Sequence, residues 1–219
     1  MLHYLEAMFR QMDVASLLDA AARVAAVLLC LTVHELCHGL AALSLGDPTA
    51  KSMDRLSLNP LRHIDWLGLL MMFTVGFGWA KPVPVDPRYF KDPKKGMALT
   101  ALAGPVSNFM LAFSLVLISK GIYLYADYTP VWNGIYNFLH LTAILSIGLG
   151  LFNLLPIPPL DGAKVLGGLL PDRTYFALMR YERYGMLLLL LMSFADVGSG
   201  VINRGIAAVY GVMINLIYY

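Results

Sequence analysis

From Ala15 to Leu45 the chain carries, outside one short motif, no charged residues except Asp19 and Arg23. An apolar run of this length exceeds the roughly 20 residues that a helix needs to cross a bilayer. Inside it lies VHELCHGL, which puts His34, Glu35 and His38 among leucines and valines. Each ionisable group at membrane depth costs roughly 2.5 to 3.5 kcal/mol even on lenient insertion scales. Two histidines and a glutamate together therefore require a metal or a functional partner. On a helix, His34 and His38 lie one turn apart on the same face and can offer both imidazoles to one ion. Glu35 follows His34 by about 100° of turn, which sets it beside such an ion as a proton acceptor for water rather than as a ligand.

The rest of the composition agrees with a membrane setting. Of 219 residues, 58% are hydrophobic, beyond the roughly 45 to 50% of soluble domains. The expected fold class is an all-α polytopic membrane protein, with about five transmembrane helices and a membrane re-entrant hairpin near the site. A net charge of +2 gives no basic patch for nucleic acid, because the basic residues follow topology. Cys30 and Cys37 are seven apart on one predicted helix and too distant along its axis to bridge. Glu6, Arg10 and Asp13 replace a basic leader region, so no cleavable signal is expected.

Residues 1–13 alternate apolar Leu2, Leu5, Met8 and Phe9 with polar neighbours, a pattern for a short interfacial segment. A span over 14–45 follows and ends at the turn signal Gly46-Asp47-Pro48. Next, the apolar piece from Trp66 to Trp79 is short for a crossing, and eight lysines and arginines between Lys51 and Lys95 flank it on both sides. If it crossed, basic clusters would face both sides of the membrane; if it dips and returns, all stay cytoplasmic. A re-entrant segment over 56–85 is therefore expected. Its irregular backbone must be satisfied by protein or by a watery cavity, so it is expected to lean on the site.

A second span over 96–125 contains AGPVSN, with Pro105 removing one backbone hydrogen bond and Asn108 placing a carboxamide in the apolar layer. The loop after it lacks basic residues and is expected to be extracytoplasmic. A third span over 131–160 reaches FNLLPIPPLDG, where Pro156, Pro158 and Pro159 must unwind the helix and leave Asp161 at its restart. The stretch 184–219 supplies two further expected spans, about 184–197 and 199–219. The whole of 1–219 reads as one intramembrane domain.

A catalytic zinc site takes three protein ligands and keeps one position for water. The candidates for the third ligand are Asp161, Asp196 and His140. Asp161 is the best placed, because an unwound helix can aim its carboxylate inward and because it lies, like His38, toward the cytoplasmic end of its span. His140 lies near the opposite end of its span, and Asp196 follows a leucine run whose helix it can end.

HELCH in a span, GFGWAKPVPVDP after it, AGPVSN in the next span and NLLPIPPLDG in the one after that resemble, in this order, the site-2 protease family of intramembrane zinc metalloproteases. The resemblance covers roughly residues 30–168. It implies that His34, His38 and Asp161 bind Zn2+ and that Glu35 is the general acid and base. It further implies that Asn153 binds the substrate backbone and helps to hold the oxyanion, with Asn108 a second catalytic candidate whose alternative is a structural hydrogen bond. Gly76, Phe77 and Gly78 resemble the hairpin that pairs with an extended substrate strand. The implied partners are transmembrane protein substrates and the lipid bilayer, in the cell membrane of a prokaryote, with the active site toward the cytoplasm. The loops leave no room for a PDZ or CBS domain, so a minimal catalytic core is expected. The alternatives from other classes are a membrane metal-binding or transport protein, which would not need Glu35 beside the metal, and a non-proteolytic scaffold that binds transmembrane helices. Oligomeric state is not legible in the sequence.

Overall fold

The computed structural model describes residues 14–75, 78–127, 129–195 and 198–219. The expected interfacial segment 1–13, Gly76 and Phe77 of the GFG segment, and Asp196 lie outside them. The described helices are, in chain order, α1 (Val14–Ser44), α2 (Thr49–Ser52), α3 (Trp66–Val75), α4 (Pro93–Tyr125), α5 (Pro130–Asn153), α6 (Asp161–Leu169), α7 (Asp172–Met179), α8 (Glu182–Phe194) and α9 (Ser199–Tyr218). Among the described residues α1, α4, α5 and α9 are long and apolar enough to cross a membrane. The fold is an all-α polytopic membrane protein.

Local chemistry sets the helix limits. Asp92 caps α4 by accepting the Lys95 N–H at 3.1 Å, with Pro93 at the first helical position. Thr129 and Pro130 open α5 in the same way. The proline-rich turn ends α5 at Asn153, and α6 restarts at Asp161, whose carboxylate suits the positive end of a helix. Gly162 makes that restart possible. A Cβ there would lie 2.2 Å from the Leu154 carbonyl oxygen, so only glycine lets α6 press against the end of α5.

α4 is the central helix and packs against α1, α5, α6 and α9. Its core contacts are small or branched: Ala112, Leu115 and Val116 meet Ala143 and Ile147 of α5 and Ile217 of α9. Small side chains let helices approach closely where lipid supplies no hydrophobic drive between them. Buried polar residues tie the same helices together. Ser146 Oγ donates to the Asn108 carbonyl at 2.8 Å, and Asn108 Nδ2 donates to the Ser146 carbonyl at 3.3 Å. The outward faces carry exposed Leu117, Ile118, Leu124, Val212 and Leu216, a surface suited to acyl chains.

Of the expected span over 184–197, residues 184–195 are described. Its helix, α8, has 13 residues, about 20 Å of rise against a hydrocarbon core of about 30 Å. The expected dip over 56–85 has the shape of a hairpin. Its helix α3 has 10 residues, and Ile64 pairs antiparallel with Ala80 while the Lys81 N–H donates to the His63 carbonyl at 2.9 Å. Chain entry and exit thus meet at one point. Gly68 closes the loop, since a Cβ there would lie 2.2 Å from the Trp79 carbonyl oxygen.

Candidate metal centre and catalytic cavity

Helix periodicity brings the His34 and His38 rings together edge to face, with centroids 4.5 Å apart. The restart of α6 delivers Asp161 to the same point. His34 Nε2 and His38 Nε2 are 3.0 Å apart, and each lies 3.1 Å from Asp161 Oδ2. All three residues are buried. His38 Nδ1–H donates to the Thr100 carbonyl of α4 at 2.7 Å, which commits Nδ1 as the donor and, in the neutral ring, leaves Nε2 with a bare lone pair. That lone pair faces a carboxylate oxygen. Two acceptors at such a distance repel unless a proton or a metal cation lies between them.

The donor set fits zinc: two imidazole nitrogens and one carboxylate oxygen, converging from two helices, are the ligand types of a catalytic site with one open position. Among the described residues the other candidate, His140, does not join it. His140 Nδ1 is hydrogen-bonded with the Tyr210 hydroxyl of α9. It stands 13 residues before Asn153 on α5, about 20 Å along the axis.

Two features absent from the sequence reading shape the centre. The first is Gly104 of α4, where a Cβ would lie 2.4 Å from His38 Cε1, 2.5 Å from His38 Nε2 and 2.6 Å from His34 Cε1. Glycine here lets the α4 backbone lie directly on the ligand pair. Gly104→Ala is expected to push the rings apart and weaken zinc binding by about tenfold or more, as loss of an outer-shell support does; titration against a competing chelator measures it. The AGPVSN motif contained this glycine, but spacing alone gave no sign of which helix would face it.

The second is the strand that leaves the hairpin. Val83 N–H donates to Glu35 Oε2 at 2.9 Å. Prolines at 82 and 84 keep the segment extended, and its ends are pinned. At one end Arg55 Nη2 donates to the Lys81 carbonyl at 2.8 Å; at the other, the Asp86 N–H donates to Asp47 Oδ2 at 2.7 Å. The Asp86 carboxylate itself accepts from the Arg88 guanidinium, which holds its pKa below the usual carboxylate range.

A cavity of about 290 Å³ opens on the centre, lined by His34, Glu35, His38, Asp161, Asn153 and Lys164 among others. Asn153 donates to the Leu149 carbonyl at 3.0 Å. Asn108 is not among the lining residues; it is fully buried at the α4–α5 interface. Gly78 lines a separate apolar cavity. Lys164, which the sequence assigned only to topology, is the one lysine or arginine among the described residues that line this cavity.

The model of peptidase family M50 matches residues 121–194. YwhC of Bacillus subtilis, whose name gives it provisionally as a zinc metalloprotease, is 40% identical over 176 residues, covering 78% of this chain and 79% of YwhC. The chain belongs to peptidase family M50. Rip2 of Mycobacterium tuberculosis (strain H37Rv), named in the same way, is 31% identical over 81% of this chain and 68% of its own length. Rip2 of Mycolicibacterium smegmatis is 29% identical over 77% and 65%. No solved structure gives a significant match. As an M50 peptidase the protein is a zinc metalloprotease, with Zn2+ as its cofactor.

Proposed function

We propose that this M50 peptidase is an intramembrane endopeptidase, cleaving membrane-anchored proteins within or beside their transmembrane segments. Such cuts release the anchored part of a substrate, the reaction on which regulated intramembrane proteolysis rests. The observation that carries the reading is the convergence of His34, His38 and Asp161 inside a bundle whose outer faces are apolar. A second cavity supports it. About 560 Å³ in volume and mainly apolar, it is lined by Leu31 and Thr32 of α1, Trp79 and Ala80 of the hairpin, and Leu149 and Phe152 of α5. Thr32, Ala80 and Phe152 lie one or two positions before His34, Pro82 and Asn153 of the catalytic cavity. A substrate helix seated there would pass its unwound end toward the metal centre.

In this reading His34, His38 and Asp161 hold the zinc. The chemistry supplied by bound zinc is polarisation of the scissile carbonyl and a lowering of the pKa of water toward about 7. Glu35 accepts the proton of the attacking water and passes it to the leaving amine. Val83 N–H anchors Oε2 of that base and leaves Oε1 for the proton. The Asn153 carboxamide is the donor for the developing oxyanion, whereas Asn108 holds α4 to α5. Gly76, Phe77 and Gly78 meet the substrate strand. The hairpin dips into the bilayer from the cytoplasmic side, where the basic residues of 51–95 gather, in the cell membrane.

The test is cleavage of a single-span substrate by the purified protein in liposomes, before and after chelation. Loss of product on chelation and its return with zinc are expected. A zinc-loaded protein that cleaves none of several unrelated single-span substrates would favour a metal-binding role instead.

A further inference from the structure

A third cavity, of about 590 Å³, lies at the base of the hairpin, away from the metal centre, and is lined by Arg55, Arg62, Lys81, Asp54, Asp65 and Trp66, among others. Arg55 is more than nine-tenths buried. Its Nη2 is committed to the Lys81 carbonyl, but its Nε–H meets no acceptor among the described residues. A buried guanidinium N–H without an acceptor is costly, and the natural partner is an anionic oxygen. The two carboxylates leave the balance positive. Asp65 Oδ1 is occupied in accepting the Gly68 N–H at 2.9 Å, at the start of α3. Arg62 is fixed at the cavity by donating to the Asp54 carbonyl, and Lys81 is exposed beside it.

The rim is apolar where it is not basic. Trp66 is 73% exposed and Leu61 66%, both lining the cavity. A tryptophan with exposed leucine next to arginine and lysine is the composition of a bilayer interface, not of a surface facing bulk water. Basic pockets at that level take lipid head groups. We propose that this cavity binds the phosphate of an anionic phospholipid, with Arg55 at its floor, Arg62 and Lys81 at its mouth, and Trp66 and Leu61 against the upper acyl chain.

The site is also connected to the catalytic base. Arg55 holds the Lys81 carbonyl, and two residues further on Val83 N–H holds Glu35. A headgroup that completes the hydrogen bonding of Arg55 thereby steadies the strand that positions Glu35. The lipid site itself stands independently of the proteolytic reading.

The experiment is native mass spectrometry of the full chain in detergent, titrated with short-chain phosphatidylglycerol, phosphatidylcholine or inorganic phosphate. Phosphatidylglycerol is expected to bind at least about tenfold more tightly than phosphatidylcholine, and the double variant Arg62→Gln/Lys81→Gln to lose at least about tenfold of that affinity. These two residues are exposed, so the fold does not depend on them. Lys51→Gln/Lys91→Gln, which removes two basic residues elsewhere on the same expected face, is expected to leave binding unchanged. Equal affinity for the two lipids, or equal loss in both double variants, would overturn the site. Displacement of phosphatidylglycerol by an equal concentration of inorganic phosphate would overturn its assignment to lipid.

Discussion

Glu35→Gln is expected to leave zinc at the wild-type ratio while lowering the rate of peptide-bond cleavage by about 10² to 10⁴-fold, the range attributed to a positioned general base. The two predictions separate because Glu35 is not one of the converging donors. His34 Nε2, His38 Nε2 and Asp161 Oδ2 meet without it. A glutamine retains an oxygen able to accept the Val83 N–H, so the strand from the hairpin stays in register. What it cannot do is take a proton from water at neutral pH. Metal analysis and single-turnover cleavage on the same preparation measure both quantities. Cleavage within tenfold of wild type would remove Glu35 from the role of base.

Asp161→Ala has the opposite signature. It deletes the only anionic donor of the three and leaves two imidazoles on one helix. Zinc affinity is expected to fall by more than the 10- to 100-fold that loss of an outer-shell partner costs, and cleavage to fall with it. Activity restored at high zinc would then report the same lesion. Equal zinc content in wild type and Asp161→Ala under a competing chelator would sink the ligand assignment, and would direct attention to donors outside the described residues.

Much of this site is legible in the sequence because membrane depth penalises uncompensated polar groups. An apolar run can hide many leucines, but not two histidines and a glutamate, so VHELCHGL declares itself. The three prolines before Asp161 are equally explicit, since no regular helix can continue through them. Contacts between helices are far less so. Gly104 looks like any small residue of a packed membrane helix until the rings of His34 and His38 are found within a Cβ radius of it. The bond from Val83 to Glu35 joins residues 48 apart through a backbone N–H, which leaves no mark in side-chain type. Arg55 counted toward topology as one basic residue among eight, whereas its burial and its bond to Lys81 set it apart from the others. Over the span expected at 184–197, the leucines that raise hydropathy lie on α8, whose described helix covers 13 residues.

The cavity over His34, His38 and Asp161 is proposed to hydrolyse bonds at membrane depth. Mass-spectrometric mapping of the products from a single-span substrate, reconstituted with the zinc-loaded protein in liposomes, tests that directly. A cut within the apolar segment or at its edge, absent with Glu35→Gln, is the predicted result. Cuts confined to the water-exposed tails, or the same products from wild type and Glu35→Gln, would contradict it.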